Sequence, residues 1–286
     1  HMNNGDRFLL IDGHHLFHRT YNALPRSIVG SDGAPIQGVY GFAGAFLRLV
    51  RRFEPSHVCV PFDPPVAPFR RELFADYRTG RPRGTEEEVA NFDDQVGQVH
   101  RVLDHLGVGY PMVSGYEADD AIGTLARRAG EIGLQTTIVS GDRDLLQLLR
   151  PTVSLFMPKG QDGEMWTPGL VQERWGVSPE QFPDLKALIG DTSDRIPGVP
   201  GIGPRTAAAL LMQYGTIDAV YDAIASLPAR QAGLLEAHKE RVALNRRLVT
   251  IVTSLDLPDD LVTYRYSPGD TSWTASTLLA TLGLRG

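Results

Sequence analysis

Along the first half of the chain, short apolar runs alternate with longer segments in which apolar positions recur every three or four residues. Phe8-Leu9-Leu10-Ile11 is cut off by Asp12-Gly13, Val58 to Phe62 by Asp63-Pro64, and Thr136 to Val139 by Ser140-Gly141-Asp142. Runs this short, bounded by turn residues, predict buried strands. Between them, Val39 to Phe53, Val89 to Leu106 and Ala118 to Ile132 read as amphipathic helices, the last with the stripe Ala118, Ile122, Leu125, Ala129 and Ile132. Strand and helix in this rhythm predict an α/β fold, a mostly parallel sheet with flanking helices. Such sheets bind ligands beyond the carboxyl ends of their strands, and each of the three runs finishes there with an aspartate.

From about Pro151 the pattern changes. Thr152 to Met157 and Glu164 to Trp166 predict a hairpin around Gly160 to Gly163, and beyond Thr167 short helices alternate with Pro and Gly joints. The expected organisation is an α/β core over residues 2–175 and a helical region over 176–286, packed as one unit because no flexible linker separates them. Residues 64–88 stand apart, with Arg70, Arg71, Arg78, Arg81 and Arg83 among Pro64, Pro65, Pro68 and Pro82, followed by Glu86-Glu87-Glu88. A long segment at the ligand edge of a sheet is expected to be functional or mobile.

Composition narrows the class. A chain of 286 residues buries a core without staples, and its single cysteine, Cys59, excludes a disulfide framework or a cysteine zinc ribbon. No apolar stretch approaches the ~18 residues of a membrane span, so a cytoplasmic monomer is expected. His1-Met2 reads as a tag remnant. The net charge of −6 argues against a nucleic-acid partner until its distribution is considered. Setting aside the nine carboxylates named below, the balance turns positive, and among the basic residues only Lys159, Lys186 and Lys239 are lysines. Arginine binds phosphate bidentately, although the same bias also follows from genome composition.

Glu117-Ala118-Asp119-Asp120 opens a predicted helix, where acidic residues ordinarily complement the helix dipole. The wider set changes that reading: Asp12 and Asp63 at strand ends, Asp142 and Asp144 in Gly141-Asp142-Arg143-Asp144, and Asp191 and Asp194 in Gly190-Asp191-Thr192-Ser193-Asp194. In a parallel sheet these positions converge on one edge, and carboxylates so close need cations to stay ionised. Oxygen-only ligation suits Mg²⁺ or Mn²⁺. Two such ions can drive hydrolysis of a phosphate ester by activating water and stabilising the leaving oxygen. His14, His15 and His18 include an i, i+4 pair open to zinc, to helix packing or to a polar surface, but no third ligand is evident. Ile196 to Pro204, with Gly198, Gly201 and Gly203, leads into Arg205 and an alanine-rich helix. That pattern fits a helix-hairpin-helix element offering backbone N–H groups to phosphate, or a tight interhelical turn.

Taken together, these segments resemble the bacterial 5′ nuclease family: the 5′-to-3′ exonuclease domain of DNA polymerase I, phage 5′ nucleases and flap endonucleases. Ile11-Asp12-Gly13, Gly38 to Phe42, Phe62-Asp63, Phe69 to Leu73, Tyr77 to Pro82, Glu117 to Asp120, Gly141 to Leu145 and Gly190 to Gly203 carry the resemblance. It implies a PIN-like core, a helical arch at about 64–88 and a helix-three-turn-helix at about 186–212. It further implies one divalent-metal site from Asp12, Asp63, Glu117, Asp119 and Asp120, and a second from Asp142, Asp144, Asp191 and Asp194. Arg78 and Arg81 match arch positions that contact the scissile phosphate, although the family has Lys where this chain has Arg78. Arg70, Tyr77, Gly198, Gly201, Gly203 and Arg205 are expected on the DNA, Tyr77 either stacking on a base or packing within the arch. Arg195 replaces the family's usual Asn and puts positive charge beside Asp194. A K⁺ ion is expected on hairpin carbonyls.

The implied function is structure-specific 5′ nuclease action, exonuclease and flap endonuclease, on flaps, nicked or gapped duplexes or RNA-DNA primers during replication and repair. With the chain ending at Gly286, polymerase and ligase are expected as separate partners. A PIN-like ribonuclease, a phosphatase and a non-catalytic branched-DNA binder fit less of the pattern.

Overall fold

Alternation along β1 (Arg7–Ile11) decides the layering, because successive side chains leave opposite faces of a strand. Phe8 and Leu10 go to one face, Leu9 and Ile11 to the other, and all four are buried. The computed structural model describes residues 5–79, 84–160, 162–269 and 272–285. Its five-stranded sheet adds β2 (His57–Cys59), β3 (Gln135–Val139), β4 (Val153–Lys159) and β5 (Asp162–Trp166) in the order β2-β1-β3-β4-β5. The first four run parallel and β5 closes the edge antiparallel, as the hairpin pattern predicts. Leu9 lies opposite both Val58 and Thr137, and Ile11 opposite Val139.

Helices α1 (Gly13–Ala23), α2 (Gln37–Phe53), α3 (Phe69–Leu73), α4 (Glu86–His105) and α5 (Ala118–Glu131) intersperse the strands. The C-terminal region holds α6 (Pro168–Trp175), α7 (Phe182–Ile189), α8 (Pro204–Tyr214), α9 (Ile217–Asp222), α10 (Ala229–Ala237), α11 (Lys239–Val249) and α12 (Ala275–Thr281). Leu9, Ile11 and Val139 pack against Phe17 of α1, Phe42 and Phe46 of α2 and Leu103 of α4. Phe8, Leu10 and Ile138 pack on the other face against Ile122 and Leu125 of α5. That second layer continues without a break into Leu188 of α7, Leu211 of α8 and Val242 of α11. The C-terminal helices are therefore held against the sheet by shared apolar burial. Among the described residues no helix is long and apolar enough to cross a membrane.

Three details depart from the sequence pattern. The second strand stops at Cys59, because Val60 and Phe62 turn their N–H groups to the carbonyls of Gly109 and Pro111. Helix α1 follows β1 immediately and is not foreshadowed by apolar periodicity; Asp12 starts it by accepting from the His15 N–H at 3.0 Å. In the expected helical arch the described residues form only the five-residue α3, a turn, and the start of α4. Arg81 lies outside the described residues.

The strand order matters for function. From β1 the chain crosses first to one side and then to the other, so the carboxyl ends of β1 and β3 flank a topological switch point, the usual ligand crevice of such sheets.

Candidate active site

Asp12 and Asp142 occupy that switch point. Asp12 follows β1 and is almost fully buried; its second oxygen accepts from Ser140 Oγ at 2.7 Å. Ser140 Oγ in turn accepts from the Asp142 N–H at 3.1 Å, so one hydroxyl ties the two strand ends together. Asp142 caps the short helical turn Arg143–Leu148 by accepting from the Asp144 N–H at 2.8 Å. Asp63 reaches across to α5, accepting from the Ala118 N–H at 2.8 Å. Glu117 caps the same helix, which carries Asp119 two residues further on.

Burial raises Asp12 to about 7, with Asp63 and Asp142 adding repulsion. Asp119 is raised well above the carboxylate range by burial and by Asp142 and Asp12. Asp144 is raised to about 6, first by burial and then by Asp142. These carboxylates feel one another and require positive charge in order to ionise together. Asp144, Asp191 and Asp194 form a triad whose ligand oxygens lie within 4.8 Å of one another. Asp191 is aimed by its own turn, one oxygen accepting from the N–H of Ser193 at 2.8 Å and from its hydroxyl at 2.6 Å. The loop is held by the pairing of Gly190–Asp191 with Ile196–Pro197.

Of the nine sequence candidates, Asp12, Asp63, Glu117, Asp119, Asp142, Asp144 and Asp191 are linked by mutual repulsion, and Asp194 joins them through the triad. Asp120 is held apart. It is completely buried, and its oxygens accept from both terminal nitrogens of Arg70 at 2.8 Å, from the Val252 N–H at 2.8 Å and from the Glu117 N–H at 3.1 Å. No acceptor site is left for a metal, so Asp120 is corrected to a scaffold residue. Arg70 is corrected with it: it is 4 % exposed, and its Nε donates to the Leu248 carbonyl at 2.8 Å, joining α3, α5 and the end of α11. A residue so enclosed cannot reach DNA. Of the two roles left open for Tyr77, packing holds. Its ring is buried with Ile196, Leu248 and Val249, and its hydroxyl donates to Glu117 at 3.1 Å.

Arg78 lies over the carboxylates. Its Nε donates to Asp194 at 2.8 Å and Nη1 to Glu117 at 2.8 Å, spanning the two halves of the acidic set, with its backbone in the left-handed region at φ 52°. Arg195 donates to Thr79 Oγ1 at 3.2 Å. Lys186 was not singled out from sequence. It enters from α7 at 3.0 Å from Asp144 and in contact with Asp191. Its signal was available: one of only three lysines, one helical turn before Gly190-Asp191.

The histidines disperse. His14 Nδ1 accepts from the Asp63 N–H at 3.0 Å, His15 meets the Gly141 N–H at 3.2 Å, and His18 packs on Phe92 at 4.6 Å between ring centroids. They make no zinc set. His18, Tyr21 and Phe92 instead line a groove of about 650 Å³ running past Gly84 and Glu88.

The hairpin glycines divide by role. A β-carbon on Gly198 would meet the Ile189 carbonyl at 2.2 Å, so this glycine permits close packing of two backbone segments. Gly201, at φ 84°, and Gly203 are exposed, as is Arg205. Gly203 caps α8, and a β-carbon there would meet nothing.

Residues 7–176 match the model of the 5′-3′ exonuclease N-terminal resolvase-like domain, and residues 177–272 that of the 5′-3′ exonuclease C-terminal SAM fold. Thermostable DNA polymerase I of Thermus filiformis is 41% identical over 260 residues, covering 91% of this chain and 30% of that protein. DNA polymerase I of Mycobacterium leprae is 36% identical over 265 residues, covering 92% and 29%. The chain thus spans about a third or less of the length of these relatives. Among solved structures, the T5 D15 protein co-crystallised with metal ions superposes with a TM-score of 0.72 at 22% identity, covering 86% of this chain and 90% of that one. The catalytic core of Rad2 in complex with DNA substrate gives 0.61 at 15% identity, covering 98% and 89%. Both share the fold of this chain.

Proposed function

Because the chain belongs to the 5′-3′ exonuclease family, we propose that it is a structure-specific 5′ nuclease that hydrolyses DNA phosphodiesters at 5′ ends and flap junctions. One observation supports the reading: carboxylates from the ends of β1 and β3, from α5 and from two loops gather at this edge of the sheet, with Asp12, Glu117, Asp119 and Asp144 raised in pKa by burial and by neighbouring carboxylates, and with ligand oxygens of Asp144, Asp191 and Asp194 within 4.8 Å of one another. The donor set is oxygen only, which fits Mg²⁺ or Mn²⁺. Asp12, Asp63, Glu117 and Asp119 would hold one ion, and Asp142, Asp144, Asp191 and Asp194 a second. Bound there, such ions supply an activated water and charge stabilisation for the leaving oxygen.

The chain's own residues supply position. Arg78 sits where a strand laid over the carboxylates would pass, and its fork is matched to a phosphate. Arg81 is assigned the same task by resemblance. Gly201 and Gly203 are exposed at the N-terminus of α8, where no side chain caps the helix, which supports phosphate binding without base reading, with exposed Arg205 beside them. K⁺ on the carbonyls of this hairpin is carried over from the family. The groove lined by His18, Tyr21 and Phe92 lies beside His14, at 6.3 Å between the His14 and His18 rings, and suits the stacked bases of a single-stranded 5′ end. Such a nuclease would work in the cytoplasm at the nucleoid, with polymerase and ligase acting before and after it.

Cleavage of a 5′-labelled flap, a nicked duplex and a blunt duplex, with and without Mg²⁺ or Mn²⁺, tests the reading. Metal-dependent cleavage is expected near the flap junction and at the nick, with the blunt duplex cut only from its 5′ ends. Cutting of none, or equal cutting of all three in EDTA, overturns it.

A further inference from the structure

Besides Arg70, which reaches Glu117 from the scaffold, two positive groups occupy the carboxylate pocket, and they differ in kind. Arg78 comes from a turn at the surface. Lys186 comes from α7, whose neighbours Leu185, Ala187 and Leu188 are buried in the core, so its stem has one direction in which to go. Its ammonium lies 3.0 Å from Asp144 and touches Asp191, two members of the triad that also includes Asp194. An ammonium in that position bridges two carboxylates that would otherwise repel, and it stands where a divalent ion shared by the triad would have its charge.

We propose that Lys186 is the built-in counter-cation of the second carboxylate cluster, and that a divalent ion enters this half of the site by exchange with the Lys186 ammonium. The inference rests on reading the carboxylates as a divalent-ion site. Its consequence is selective: Asp12, Asp63, Glu117 and Asp119 face no lysine, and the cations on that half are the guanidinium groups of Arg70 and Arg78 on Glu117. The first half therefore binds without displacing Lys186, whereas in the second the Lys186 ion pairs must open, which weakens binding there. The groups facing the ammonium are Asp144 and Asp191, with Asp142 and Asp194 completing the surroundings and Arg78 neutralising Asp194 from the far side. Lys186 is thus a positioning residue: when displaced, its ammonium moves out toward the cleft, where strand phosphate would meet it.

The chain's three lysines make the test direct on unmodified protein. With lysine side chains selectively labelled with ¹³C and ¹⁵N, Lys186 is assigned as the signal lost in Lys186→Met. In EDTA the Lys186 ammonium should be protected from solvent exchange. Titration with Mg²⁺ should shift that one signal and remove its protection, leaving Lys159 and Lys239 unchanged. Calorimetric titration with Mn²⁺ supplies the second readout. Lys186→Met keeps the stem and removes the competing charge, so the weaker of two Mn²⁺ binding events should tighten at least roughly tenfold. The tighter event should stay within about twofold, since Lys186 faces none of its ligands.

Three results overturn the exchange. Mg²⁺ binding that leaves the Lys186 signal unmoved would show that ion and ammonium coexist. Unchanged Mn²⁺ affinity in Lys186→Met, together with weaker flap binding, would make Lys186 a phosphate contact only. No divalent binding by the wild type would remove the exchange along with the metal reading itself, an outcome distinct from the other two. Should Lys186→Met fail to fold in EDTA, Lys186→Gln assigns the signal, and the wild-type titration alone decides.

Discussion

Replacing Arg70 with methionine keeps most of the side-chain length and removes every donor of the guanidinium. In the structure those donors meet Asp120 twice at 2.8 Å, Glu117 at 3.0 Å, the Leu248 carbonyl at 2.8 Å and the Thr250 carbonyl at 3.3 Å. Asp120 has no exposed surface, so the variant leaves its charge buried with only the backbone N–H groups of Glu117 and Val252. Breaking one side of such a pair costs roughly 3–5 kcal/mol. Against a total stability of about 5–15 kcal/mol, that is a drop in Tm on the order of 10 °C. Circular-dichroism melting in EDTA measures it. The double variant Arg70→Met/Asp120→Leu should recover a large part of the loss, because no buried charge then remains unpaired. The reasoning fails if Arg70→Met melts like the wild type and instead binds duplex more weakly with a salt slope smaller by about one, the signature of a lost phosphate contact.

Arg78→Ala should lower the single-turnover cleavage rate by about two orders of magnitude at saturating enzyme, equivalent to ~3 kcal/mol of lost transition-state stabilisation; a wild-type rate under those conditions would make Arg78 a binding residue only. Gly203→Val should weaken duplex binding equally for unrelated sequences without lowering Tm, since the added side chain meets only solvent in the free protein; Gly201→Val should also lower Tm, because φ 84° strains any β-carbon. Asp142→Asn and Asp119→Ala should abolish cleavage while flap binding survives, and comparable turnover at saturating metal would remove them from the ligand set. Metal-free protein should lose stability as pH rises from about 4 to 7. Asp12, raised to about 7, Asp144, raised to about 6, and Asp119 hold protons in the native state that the unfolded chain has released. The contribution of Asp12 alone is roughly 4 kcal/mol. Urea midpoints at about pH 5 and pH 7 in EDTA check the sign, and a higher midpoint at pH 7 would contradict it.

Much of this was legible along the chain. Runs such as Phe8 to Ile11 are buried on both faces and therefore need no alternation to announce a parallel strand, and an aspartate after such a run must lie at the ligand edge. The acidic set and the glycine hairpin were visible for the same reason: chemistry that depends on residue type and strand-end position survives in one dimension. Partner choice does not. Asp119 and Asp120 are neighbours in sequence and chemically identical, yet a helix turns adjacent residues about 100° apart, so one faces the cleft and the other faces Arg70. Likewise Arg70 and Arg78 belong to one basic segment, and only the packing of Leu248 and Thr250 against α3 encloses the first while the second stays over the carboxylates. Gly198 and Gly203 share a motif, but the backbone of Ile189 passes against one and solvent meets the other. Lys186 entered the site because α7 is fixed by its apolar face to a core that begins in the sheet far back along the chain. Residue type and local order determined which groups gather at this edge; the long-range burial of the C-terminal helices decided which of them are spent on holding it together and which are left facing the cleft.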